Sequence, residues 1–370
     1  MAAVGDIIDR TDYNDYVSRI NVIMGDGSGT TGYGQVIGSS HVPGLNDITA
    51  AQWQTLLLDI NKAYRHQFGT DSGINTFNAG NIIGADASNT TTGTTITRND
   101  DDTFTIGNPD NTKGVNDFGT ALTALEVDPL TVDAGELTAE TKLPFASGGL
   151  EYTASWGGGG DTGIYCEVDV NFSGGYYTAN DDGSPNLVSR GDHRRYFFNA
   201  GGQIQIKSDL ANPSTSQKDV DWNTLIGNTG TISMGSTTTT STIGGTPVSI
   251  GFNDLTTTYQ IIFSKNGSQA QYAENYYRIR AKLISDATAG TSGVRFEILF
   301  QDADTGDQRP GTDTGGGGAE GVPPTITPAG PGVDESVTGD VRVTISQLRP
   351  TGSNVNVPTG AFSVFRNLGP

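Results

Sequence analysis

The chain has 370 residues, 34% of them apolar, with 52 glycines and a formal charge of −20. That acidic balance speaks against a nucleic-acid partner, because phosphate binding needs clustered Lys and Arg, and a lone Cys166 excludes an intramolecular disulfide framework. No stretch approaches the roughly 18 to 20 consecutive apolar residues of a membrane span, and the first residues lack the basic region and apolar run of a secretory signal, so synthesis in the cytoplasm followed by assembly is expected.

Residues 1–70 read as a small helical module. Thr11 or Asp12 can cap a helix in which Tyr13, Tyr16, Val17, Ile20 and Ile23 recur at helical spacing, ending near Gly25. The stretch from Gly25 to Gly38 is too rich in glycine for regular structure. Thr49 with Gln52 forms a capping box, and Trp53, Leu56, Leu57, Ile60, Tyr64 and Phe68 mark one apolar face that ends at Gly69. Two short helices make a thin core, so they are expected to pack on other copies, on a partner subunit or on the rest of the chain.

Residues 71–145 read as an irregular connector with short strands, with a helical turn over Ala121 to Val127. From residue 146 the period changes to two, the pattern of a sheet with one buried face. Ile164, Cys166, Val168, Val170 and Phe172 point one way, and Tyr165, Glu167, Asp169 and Asn171 the other. The alternation returns over Tyr277–Leu283, Val294–Phe300 and Val341–Ile345, with shorter stretches at Gln203–Lys207 and Tyr259–Phe263. At least six such strands between Gly-, Asn- and Thr-rich turns predict a mainly β chain: an antiparallel β-sandwich over 146–370 behind the helical module. Residues 302–338, rich in Gly and Pro, form a long excursion between two of its strands, a length that is often functional or interfacial.

Catalysis needs a nucleophile, base or metal held in a defined constellation, and none is apparent, so no enzyme activity and no cofactor are expected. His41, His66 and His193 are scattered and read as surface or capping residues, His66 as a cation near a helix C-terminus. Cys166, in register with Val168 and Val170, reads as a buried structural thiol. Asp302, Asp304 and Asp307 resemble the first half of a calcium loop, but the bidentate Glu that would close such a loop is missing, and an acidic turn is the stronger reading. Gly157 to Gly160 lacks the Gly-Lys-Ser/Thr that a phosphate loop requires. Trp156, Tyr176 and Tyr177 are the aromatic candidates for stacking on a sugar, against the competing expectation that they pack inside the protein or at a subunit contact.

Arg195-Tyr196-Phe197-Phe198-Asn199-Ala200-Gly201-Gly202-Gln203-Ile204, with Asp221-Trp222-Asn223-Thr224-Leu225, Gly230-Thr231-Ile232, Gly251-Phe252-Asn253-Asp254-Leu255 and Tyr276-Tyr277-Arg278-Ile279, resembles virion structural proteins of marine cyanobacterial myophages and related tailed phages. Gly32-Tyr33-Gly34-Gln35 and Arg65-His66-Gln67 extend the resemblance to the N-terminal end. It touches residues 1–70 and about 190–300. It implies a tail, baseplate, neck or fibre subunit located in the virion, bound to other virion subunits through residues 1–70. A homo-oligomer follows from the same resemblance, a trimer by analogy with phage fibres. The competing expectation is a tail-fibre protein that binds a host-surface glycan.

Overall fold

Helical spacing near the N-terminus and two-residue alternation farther on produce two differently built units in the computed structural model. It describes residues 10–44, 48–74, 96–98, 104–106, 115–145, 150–158, 162–179, 182, 184–243, 246–247, 249–268, 272–286, 291–303 and 335–370. One unit comprises Met1–Ala139, Phe172–Gln203 and Leu348–Gly360, and the other Glu140–Asn171, Ile204–Gln347 and Ala361–Pro370. Residues 172–203, expected within the β body, therefore group with the helices.

The first unit is built on α1 (Arg10–Met24), α2 (Ala50–Phe68) and α3 (Val115–Val127). Tyr13, Tyr16, Val17, Ile20 and Ile23 are buried on α1 as their spacing predicts. On α2 the Thr49–Gln52 capping box forms, and Gly69 closes the helix in the left-handed conformation. The expected apolar face of α2 is corrected at its end: Ala63, His66 and Gln67 are buried, whereas Phe68 is 41% exposed, its ring tilted against that of Tyr64. A straight helix drifts relative to a seven-residue repeat, so the inward face has moved round by the last turn. The helical turn expected over Ala121–Val127 is the end of the 13-residue α3, so the stretch 71–145 is not only connector. Phe118 of α3 meets Trp53 at 5.0 Å between ring centroids, and Trp53 meets Tyr13 at 5.2 Å. Such edge-on aromatic contacts add about 1 kcal/mol each beyond burial. This unit also holds the ribbon of β1 (Ile96–Arg98) and β2 (Phe104–Ile106), part of β3 (Leu137–Leu143), and α4 (Arg190–Asn199).

The second unit carries two antiparallel sheets. In one the order is β10-β9-β8-β15-β3, with β4 (Glu151–Tyr152) also on β15; β8 spans Gln203–Ala211, β9 Thr231–Met234, β10 Thr239–Ser241 and β15 Asp340–Pro350. In the other the order is β11-β12-β13-β14-β5-β16, with β5 at Thr162–Phe172, β11 at Thr246–Pro247, β12 at Gln260–Asn266, β13 at Tyr276–Asp286, β14 at Thr291–Asp302 and β16 at Ala361–Gly369. β6 (Tyr177–Ala179) and β7 (Pro185–Leu187) form a hairpin of the first unit.

Most inward sets are those the alternation predicts; Leu283 is corrected to half-buried, and over Tyr259–Phe263 a bulge between Ile261 and Phe263 breaks the alternation, leaving Ile261 38% exposed and burying Ile262. Ile164, Cys166, Val168 and Val170 are fully buried with Tyr277, Ile279, Ala281, Val294, Phe296, Ile298 and Phe300 on one sheet, and Ile204, Ile206, Val341, Val343 and Ile345 on the other. The two sheets meet where the Tyr277 hydroxyl and Ser208 Oγ lie 3.0 Å apart. The outward set is less exposed than alternation implies. Asp169 and Glu297 are 8% and 6% exposed because Arg295 and Arg280 lie over them in two-pronged ion pairs. No described helix is long and apolar enough to cross a membrane.

Candidate functional site

Among the described residues each unit contains a densely bonded polar cluster beside segments singled out in the sequence; a second one in the helical unit has Asp59 accepting from Gly38, Ser39 and Lys62. In the helical unit the first cluster is centred on Asp26. The Thr178 hydroxyl and the Asn186 amide donate to its carboxylate, and the Tyr196 hydroxyl donates at 3.2 Å. Arg195 reaches back from α4 to donate to the carbonyls of Thr31 and Asp26 at 2.5 and 2.6 Å, and Asn199 donates to those of Gly29 and Thr31 at 3.1 and 3.0 Å. Gly34 sits at φ +65°, where a Cβ would fall 2.2 Å from the Tyr196 ring. The glycine-rich stretch 25–38 is thus held against α4 through backbone carbonyls that accept from the Arg195 and Asn199 side chains.

Two histidines read as surface residues are corrected. His193 is 1% exposed; its Nδ1 accepts from the Gly174 N–H at 3.1 Å, and its Nε2 lies 2.8 Å from the Pro358 carbonyl. That pair of partners selects the neutral ring with its proton on Nε2, and burial lowers its pKa, the Pro358 contact opposing. His66 is fully buried against Tyr33, with ring centroids 5.0 Å apart, and neither nitrogen meets a partner at hydrogen-bonding geometry. Burial pulls its pKa down to about 4, partly offset by the Ala200 carbonyl and Asp133. Beside it Gln67 donates to the Tyr33 hydroxyl at 2.7 Å, and Tyr33 donates to the Pro129 carbonyl. His41, in its loop, lies 2.9 Å from the Ser18 hydroxyl.

The cluster of the β unit is built on α5 (Gln217–Gly227), capped by Ser216, whose Oγ accepts from the Asp219 N–H. Lys218 and Asp302 are both 0% exposed, and Lys218 Nζ lies 2.6 Å from Asp302 Oδ2. The Gly158 N–H donates to the same oxygen at 3.1 Å. Gly157 is at φ +65°, and a Cβ there would lie 2.4 Å from Asp302 Oδ2, so only glycine admits the carboxylate. The segments that carry the pair also bring together Trp156, Trp222 and Phe300, with the two indoles edge-on at 4.8 Å, and the Tyr272 centroid lies 5.9 Å from Nζ. Asp219, next along α5, accepts from the N–H and hydroxyl of Thr338 at 2.8 and 2.6 Å and from the Ser214 N–H. Burial opposes its charge, and the hydrogen bonds from Ser214 and Thr338 prevail, holding its carboxyl below the usual range.

Consecutive residues of α5 therefore hold the two roots of the long Gly/Pro-rich excursion, Lys218 the outgoing one and Asp219 the returning one. Trp156 pairs with Val337 by backbone hydrogen bonds in both directions, so the segment carrying Gly157 touches both roots as well.

The candidate residues from the sequence are not brought together. Asp302 is enclosed by Lys218 and Gly158 and is not an open calcium ligand, while Asp304 and Asp307 lie outside the described residues. Among the described residues no group of three or more His, Cys, Asp or Glu side chains is placed to share a metal ion. Trp156, 5% exposed, is packing and not a sugar platform. Tyr176 is half-buried with its ring 5.3 Å from that of His193, and Tyr177 is 60% exposed. Cys166 is fully buried as expected, and burial raises its thiol pKa far above the usual range, so it is no nucleophile. Sequence reasoning passed over α4 and α5 and hence both clusters, although Ser189 with Asp192 and Ser216 with Asp219 are capping signals. Comparison with known protein families, curated proteins and solved structures gives no match.

Proposed function

We propose that this chain is a non-enzymatic structural subunit of a tailed-phage virion, built into a tail, baseplate, neck or fibre. The observation that carries the reading is the convergence of the segments that resemble such proteins. Gly34 packs on Tyr196, Asn199 donates to the Gly29 and Thr31 carbonyls, and Gln67 bonds Tyr33. Three stretches far apart in the chain thus form one cluster, and its side chains are engaged in holding backbone, not in lining a cleft. A motif of this kind preserves a shape, which is what a subunit repeated in an assembly requires.

In this reading residues 1–70 dock the chain on other virion subunits. Val22, Val36 and Leu58 in that stretch are 47%, 59% and 52% exposed, apolar side chains with no core to enter. The β unit packs or projects, and several copies, three by preference, assemble together. The net charge of −20 keeps such an array from associating non-specifically. The test is protein mass spectrometry and cryo-electron microscopy of purified particles. The chain is expected at fixed copy number, with Val22→Glu/Leu58→Glu blocking incorporation while the circular dichroism spectrum is kept. A particle lacking the chain sinks the reading.

A further inference from the structure

We propose that Lys218 and Asp302 join through an intramolecular isopeptide bond, formed by the folded chain itself. A buried ion pair is usually a costly arrangement: desolvation of two charges offsets most of their attraction. Here both side chains are 0% exposed, on segments that also bring aromatic rings together.

Such a buried pair has the parts an amide-forming step needs. The nitrogen and the carboxyl are held at 2.6 Å, so the entropy of bringing them together is spent in folding. For side chains shielded from bulk solvent, a charged pair and its neutral amine and acid lie closer in energy than in solution. Passing one ammonium proton to the carboxylate gives that neutral pair. The lone pair of Lys218 Nζ then attacks Asp302 Cγ, the Nζ–Cγ bond forms, and one Cγ–O bond breaks. The departing hydroxyl takes a proton shed by the nitrogen and leaves as water. Nothing is oxidised or reduced, and no co-reactant enters.

While the carbon is tetrahedral, negative charge gathers on oxygen, and a fixed backbone donor is the usual way to hold it. The Gly158 N–H, 3.1 Å from Oδ2, is that donor, and the missing side chain of Gly157 leaves room for the carboxyl beside it. The bond would close a covalent ring over 84 residues, from the first turn of α5 to the end of β14.

Intact mass spectrometry of the full chain in denaturant tests this directly. Wild type is expected one water lighter than its sequence, and protease digestion is expected to release a branched peptide joining the Lys218 and Asp302 segments. Lys218→Met is expected at its full sequence mass. A wild-type chain at full mass overturns the proposal, as does a water loss that persists in Lys218→Met or maps to another pair of residues. If Lys218→Met fails to accumulate, the wild-type mass and its branched peptide decide alone, since neither depends on a variant.

Discussion

The two units bury polar groups in opposite ways. In the helical unit the cluster around Asp26 is spread over many hydrogen bonds, most of them between a side chain and a backbone carbonyl of the glycine-rich stretch. In the β unit the weight falls on one charge pair at 0% exposure, set within apolar sheets. A distributed network loses a little at each deletion, whereas a desolvated pair loses nearly everything when one partner goes. The helical unit should therefore weaken by steps and the β unit fail at a point.

The largest expected effect follows from that contrast. Asp302→Ala leaves an ammonium buried without its carboxylate and also removes the proposed covalent ring, so it should cost at least about 3 to 5 kcal/mol, read as a drop in the melting temperature of the β unit. A milder loss at this position would mean that water reaches Lys218. Next is Gly34→Ala, which sets a methyl against the Tyr196 ring at positive φ; about 2 to 3 kcal/mol is expected from overpacking and backbone strain together, seen as an earlier denaturant midpoint for the helical unit alone.

Acid should separate the units as well. His66 has a folded pKa of about 4, below the ordinary 6.5, so the unfolded chain takes up the proton first as pH falls. The stability it contributes is complete above pH 6.5 and is lost progressively down to about pH 4, by about 3 kcal/mol in all at roughly 1.4 kcal/mol per unit. Helical-unit unfolding at pH 7 and pH 5 measures this, and His66→Leu should flatten the difference. An unchanged slope in that variant would move the effect to the carboxylates or to His193.

Smaller effects calibrate the scale. Thr49→Ala removes the capping box of α2 and should cost about 1 kcal/mol. Asp71→Ala breaks an ion pair with Arg65 whose side chains are both 48% exposed. It should cost no more than about 0.5 kcal/mol, vanishing in high salt.

How much of this was legible depended on the range of the signal. Strands β5, β13, β14 and β15 announce themselves because alternation is local, and the capping box of α2 spans only four residues. The short α4 and α5 carry polar and aromatic residues on several faces, as in Arg194-Arg195-Tyr196-Phe197-Phe198, so their periodicity is faint and only their caps mark them. Asp302 reads as part of an acidic turn because its neighbours in sequence are acidic and polar, yet it is buried beside Lys218, 84 residues away. His66 was misread for a related reason: its position at a helix end says nothing of Tyr33 and Ala200 closing over it.

The holding of both excursion roots by neighbouring residues of α5 has an engineering consequence. When the ends of a loop are fixed independently of its content, the entropy of closing it grows only slowly with length, by about 0.6 kcal/mol for each doubling. Lengthening the chain between residues 303 and 335 should then cost the described scaffold little. This makes the site a natural port for a peptide tag or epitope, and a place where variants of the chain can diverge in length while the sheets beneath stay the same.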